Sequence, residues 1–323
     1  MLSALGSVLS VILMIALGFV LARRGWFDEA ASKLLSRLVV SVALPAYMIA
    51  NLMGGYDRAK LVSMLPGLPV PFAVMLSCFA LAALLAAAFR LPASRRGTFA
   101  SMFGLSNTIF IGLPVNLAIF GEASMPYVLL YYIANTTLFW TIGVYGIARD
   151  GEALGGRKAA SLLSREGVER IFSPPLVAFL AAAAMIMAGI RLPAFALDLC
   201  KTLGAMTTPM SMLFIGIVIS RVEWRSLRLE RDVLLVLAGR FALSPLVLVL
   251  VVRGMGRVGG IELPPLMKGV FLVQAAMPAM TQTPILAKAY GADIEYAGIA
   301  TSLTTVLSLA TIPLYMWLVG LVF

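Results

Sequence analysis

The sequence predicts an all-α membrane protein whose ten transmembrane helices form two inverted five-helix repeats. Three observations predict it: an apolar composition, apolar stretches that recur at membrane-crossing length, and a pattern of helix breakers that appears in both halves. Of 323 residues, 61% are hydrophobic and 12% are charged, and the mean hydropathy is +0.98. Soluble globules are nearer half apolar and a quarter charged.

The apolar stretches cover 3–22, 34–52, 69–89, 98–120, 125–147, 174–190, 203–220, 233–252, 266–287 and 297–321. At about 1.5 Å per helical residue, roughly 20 residues cross a hydrocarbon core of about 30 Å. The first stretch is expected to stay as a membrane helix and not to act as a secretory signal, because Arg23 and Arg24 follow it instead of preceding it.

The net charge of +10 does not point to nucleic acid, since the basic residues lie in short connections between apolar stretches. Counted on alternate sides, 17 Lys and Arg fall on one face and six on the other, with Arg240 and Lys268 within or beside spans. Cytoplasmic loops carry the excess of basic residues, so both termini are expected on the non-cytoplasmic side of the membrane. Cys78 and Cys200 have no metal-ligand spacing and the chain has no His, so neither a disulfide framework nor a metal site is expected, and no cofactor.

Sliding the chain by 170 residues lays Ile109–Gly121 over Ala279–Gly291 and matches Pro114 with Pro284, Phe120 with Tyr290 and Gly121 with Gly291. An offset near 164 overlays Pro45 on Pro209. Five spans per half is an odd number, which places the second half upside down relative to the first. The expected organisation is a repeat over 1–147, a cytoplasmic linker over 148–173 and an inverted repeat over 174–323.

Proline inside a helix lacks an N–H and clashes with the carbonyl four residues earlier, so Pro114 and Pro284 mark breaks in spans four and nine. Irregular backbone at membrane depth survives where protein or a watery cavity encloses it, and paired interrupted spans point to a transporter's binding site. Span four is expected to run to about Ile111, hinge at Gly112 and restart with Pro114 as the first residue of a second half-helix. Span nine carries Pro278 and Pro284 around Thr281, Gln282 and Thr283, with Thr283 expected to cap the second half-helix through its hydroxyl. Two half-helix N-termini would then offer free N–H groups and partial positive charge to an anion.

The candidate substrate-binding residues are Ser106, Asn107, Thr108, Gly112, Pro114, Asn135, Gln274, Pro278, Thr281, Gln282, Thr283 and Pro284. Their polar members supply hydroxyls and amides without negative charge, which suits a carboxylate. The same side chains also serve as hydrogen-bonding glue between membrane helices. No Asp or Glu lies inside a span, so a carboxylate proton relay is absent. Arg240, several residues into span eight, is either an anion countercharge or a residue that snorkels to the headgroups. An enzyme would need an acid, base or nucleophile pair at membrane depth, and none is offered.

The segments GLSNTIFIGLPV followed by FGE, AAMPAMTQTPILAKAYG and TSLTTVLSLATIPLYMWL resemble, across the whole chain, the auxin efflux carrier family in its compact bacterial form, which includes malate and malonate permease-like members. The resemblance implies a ten-helix fold of the bile acid sodium symporter type, with spans four and nine crossing at unwound centres. It also implies a scaffold of spans one, two, six and seven, a moving core of three to five and eight to ten, and pairing as a homodimer through the scaffold. Small organic anions are the implied cargo, moved by elevator-type alternating access, with Asn107, the Pro114 break and Gln282 to Pro284 facing the substrate. In the sodium symporters a Glu stands four residues before a Gln of span nine; here that position is Pro278, which disfavours sodium coupling. Secondary transport of a mono- or dicarboxylate is the leading expectation, and an anion channel using the same crossing as a filter is the alternative. Membrane lipid and the carboxylate are the expected partners.

Overall fold

The structure is a computed structural model that describes residues 2–155, 171–222, 229–259 and 262–322. Most of the expected linker over 148–173 lies outside the described residues. What is described is helical, with no strand beyond a single isolated bridge. The helices are α1 (Leu2–Arg23), α2 (Glu29–Leu38), α3 (Leu44–Gly55), α4 (Arg58–Met64), α5 (Pro69–Ala88), α6 (Arg96–Gly104), α7 (Leu113–Phe120), α8 (Met125–Leu138) and α9 (Val144–Ala153). They continue as α10 (Pro174–Met187), α11 (Ala194–Gly204), α12 (Thr207–Ser220), α13 (Arg231–Ala238), α14 (Ser244–Gly259), α15 (Pro265–Ala275), α16 (Thr283–Tyr290) and α17 (Ile294–Val322). Among the described residues, six helical stretches are long and apolar enough to cross a membrane, and Leu9–Arg23, Thr108–Phe120 and Pro174–Met187 are shorter apolar helices.

Several prolines do not end their helices. Wide π-turns at Val39–Ala43, Thr108–Gly112 and Gly239–Leu243 each come just before a proline, at Pro45, Pro114 and Pro245. A π-turn sets the carbonyl-to-amide closure one residue further along, which relieves the clash and absorbs the missing N–H. The helix therefore continues through the proline.

By internal packing the chain divides into two compact units. Unit 1 comprises residues 1–66, 109–127 and 172–222, and unit 2 comprises 67–108, 128–171 and 223–323. In unit 1, α1 crosses α12 where Gly18 and Gly216 let the backbones meet: a Cβ on Gly18 would lie 2.4 Å from the Leu213 carbonyl oxygen, and one on Gly216 2.1 Å from that of Ile15. Small residues at such a crossing replace the hydrophobic drive that lipid removes. Helix α7 packs on α1 and α12, with Phe110 just ahead of it stacked on Phe214 at 4.7 Å. In unit 2, α6 crosses α9 at Gly97 and Gly146, so closely that a Cβ on Gly97 would sit 2.1 Å from the Gly146 backbone.

Candidate functional site

The break in span four lies earlier than the prolines suggest. Helix α6 ends at Gly104, Leu105 is extended (φ −114°, ψ 141°), and helical turns resume at Thr108. The expected hinge at Gly112 is helical instead (φ −61°, ψ −44°), and Pro114 sits inside the resumed helix, both of them buried. The cause is the π-turn at Thr108–Gly112, which accommodates Pro114. In span nine, α15 ends at Ala275 and α16 begins at Thr283, leaving 276–282 non-helical. Thr283 does not cap α16: it is the first helical residue, Gln282 occupies the cap position in an αR conformation, and no side chain caps it.

The two breaks meet within unit 2. Ser106 and Ala279 form an antiparallel bridge, and the Asn107 amide donates to the Pro278 carbonyl at 2.8 Å. Asn135, fully buried on α8, reads Ser106 like a paired strand: its Oδ1 accepts from the Ser106 N–H at 2.9 Å and its Nδ2 donates to the Ser106 carbonyl at 3.0 Å. The same Nδ2 lies 3.5 Å from Met280 Sδ. Gln274 donates to the Thr108 carbonyl at 3.3 Å, and Thr304 of α17 accepts from the Ala279 N–H at 3.2 Å.

Arg240 completes the arrangement. Its side chain is fully buried and does not snorkel. The guanidinium donates to the Met277 carbonyl (Nε 3.0 Å, Nη2 2.8 Å), to Ala275 (2.7 Å) and to Phe103 (2.9 Å). Phe103 and Ala275 belong to the last turns of α6 and α15 and Met277 follows α15 by two residues, so one cation gathers the C-terminal ends of both approach helices, where the helix dipole is negative.

The amides expected to be free at the breaks are bonded within the protein. The N–H groups of Ser106, Asn107, Thr108, Ala279 and Thr283 all have protein partners. Buried backbone at membrane depth must be satisfied internally, and here other backbone carbonyls do it together with side chains from α8, the Gly239–Leu243 π-turn, α15 and α17. Among the described residues, Gln274 Oε1 and Gln282 Oε1 are two of the buried side-chain oxygens without a hydrogen-bond partner. Ser106, Asn107, Thr108, Asn135, Gln274 and Pro278 thus form one cluster, with Thr281, Gln282, Thr283 and Pro284 next to it in the chain, while Gly112 and Pro114 lie beyond the break.

A family model described as membrane transport protein matches residues 3–316. The chain belongs to the membrane transport protein family. Its relatives include an "uncharacterized transporter" of Methanocaldococcus jannaschii, 25% identical over 96% of this chain and 97% of the relative. A second "uncharacterized transporter", from Methanothermobacter thermautotrophicus, is 26% identical over 96% of each chain. This member of the membrane transport protein family is an integral membrane protein.

Polar devices that sequence reasoning missed brace each unit of the transport protein. Asp150 of α9, 2% exposed, accepts from the N–H groups of Gly97 (2.9 Å) and Thr98 (2.6 Å), capping α6 from a neighbouring helix. Arg95 ties three helix starts together through Glu230 (2.5 Å), Asp293 (2.8 Å) and Asp232 (3.5 Å). Burial works against charge on Arg95, but the bonds to Glu230 and Asp293 outweigh it and raise its pKa above the ordinary value. In unit 1, Glu122 accepts from the Tyr47 hydroxyl and from Asn51 Nδ2 (2.9 Å), and with Lys201 these residues line a cavity of about 400 Å³. The buried Thr301, Thr304, Thr305 and Ser308 of α17 were also missed, although TSLTTVLS carries them at the helical spacing i, i+3, i+4, i+7. Among the described residues, no group of three His, Cys, Asp or Glu is placed to hold a metal ion.

Proposed function

We propose that this protein is a secondary transporter that moves a small organic anion, a mono- or dicarboxylate, across the plasma membrane by alternating access. The observation that carries the reading is the crossing of two interrupted helices, bridged at Ser106 and Ala279 and surrounded by amides and hydroxyls. Interrupted membrane helices are maintained at a cost, and in transporters they mark the midplane site that holds the solute. Gln282, half-buried at the start of α16, is the residue best placed to contact a solute, and its amide NH2 is the group that would donate to a carboxylate. Division into two internally packed units supports alternating access, because a carrier needs rigid parts whose relationship changes during the cycle. Ten spans as two inverted repeats, with both termini outside the cytoplasm, complete the reading, and a homodimer is its expected assembly. We read it as a carrier and not an enzyme, in keeping with its family.

The test is counterflow in proteoliposomes. Saturable uptake of a labelled carboxylate, accelerated by unlabelled carboxylate inside, is expected. Unitary currents in a planar bilayer would replace the carrier by a channel, and a Gln282→Ala protein that exchanges as fast as wild type would remove Gln282 from the site.

A further inference from the structure

Among the described residues, the charge at the crossing has no carboxylate partner. Arg240 is completely buried, and among the described residues its polar contacts are the three backbone carbonyls of Phe103, Ala275 and Met277. Carbonyls solvate a guanidinium but do not neutralise it, and charge buried in an apolar setting is ordinarily paired. Two converging helix C-termini bring roughly half a negative charge each. Each such end has a positive counterpart at the other end of its own helix, so the dipoles redistribute the charge without cancelling it. The crossing therefore carries one net positive charge, and Arg240 lies close to it in the chain contacts: it holds Met277, whose neighbour Pro278 accepts from Asn107.

We propose that Arg240 sets the charge of the cargo, so that the crossing accepts a solute with a single negative charge in preference to a dianion. This rests on the anion-transporter reading and narrows it. A monocarboxylate brings the loaded crossing to zero net charge. A dianion would leave one uncompensated negative charge at membrane depth, where unpaired charge is costly. The same net charge fixes the response to voltage. Reorientation of the loaded crossing moves no net charge, and reorientation of the empty crossing moves one positive charge. Exchange of monoanion for monoanion should then be indifferent to membrane potential, while net uptake, which requires the empty return, should depend on it.

The experiment uses purified full-length protein with pyruvate, lactate and indole-3-acetate as monoanions and malonate, malate and succinate as dianions. Thermal shift in detergent should show stabilisation by at least one monoanion at about tenfold lower concentration than by any dianion. Arg240→Gln should weaken that monoanion's effect by about tenfold or more, and Arg240→Lys, which keeps the charge but not the fork of donors, should keep the preference even where its own melting temperature falls. Should Arg240→Gln fail to fold, the wild-type protein still decides. In proteoliposomes under imposed potassium-diffusion potentials, monoanion exchange should stay constant while net uptake changes. A dianion that stabilises as well as the monoanions, or exchange that varies with potential, would overturn the charge assignment and leave the transporter reading standing. If none of the six acids stabilises the protein and none is exchanged, the anion reading falls and the assignment with it.

Discussion

Asn135→Ala tests whether the crossing is held by side chains standing in for the missing helical partners. The substitution deletes both hydrogen bonds to Ser106. Ser106 is 0% exposed, so its N–H loses its partner in a dry setting, a loss of about 1–3 kcal/mol. Its carbonyl still accepts from the Thr108 N–H at 2.9 Å, so losing the second bond costs only about 0.5–1.5 kcal/mol. The total is about 2–4 kcal/mol. At about 2 °C per kcal/mol for a chain of this length, the melting temperature in detergent should fall by roughly 4–8 °C. Circular dichroism at 222 nm during a thermal ramp reads it, with Gln282→Ala as the matched control, since Gln282 Oε1 holds nothing and its loss should move the melting temperature by under about 1 °C. An Asn135→Ala protein that melts within about 1 °C of wild type would refute the argument that Asn135 carries the broken backbone.

Other substitutions probe the rest of the frame. Gln282→Ala should abolish counterflow at unchanged expression, the reverse of the Asn135 phenotype, as radiolabelled uptake would show. Gly97→Ala puts a methyl 2.1 Å from the Gly146 backbone and should lose about 2–4 kcal/mol or fail to fold; Gly254→Ala, with nothing within 4 Å, should be tolerated or slightly stabilising by the same melting assay. Asp150→Ala removes the cap from the Gly97 and Thr98 amides and should destabilise by about 1–2 kcal/mol, with Asp150→Asn recovering part of it.

Residue type and spacing were sufficient to show an all-helical membrane protein and to single out the segments 98–120 and 266–287 as interrupted, because hydropathy and helix-breaking are properties of the local chain. Ser106, Asn107, Asn135, Gln274 and Pro278 were also legible, as polar or imino residues in stretches where lipid favours neither. The exact place of a break was not. Pro114 looks like a break in sequence, yet its clash can be relieved by a π-turn, and whether it is depends on how the preceding turn packs.

Arg240 shows the same division. The sequence shows an arginine too deep to be ordinary, and both readings taken from it, countercharge or snorkelling residue, left out its actual partners. Those are carbonyls from residues 103, 275 and 277, more than a hundred positions away on one side and more than thirty on the other. Backbone carbonyls are present at every residue and leave no mark in composition or spacing. Only the tertiary fold decides which of them are left without a helical partner and brings a cation to them, and that convergence sets the charge at the crossing.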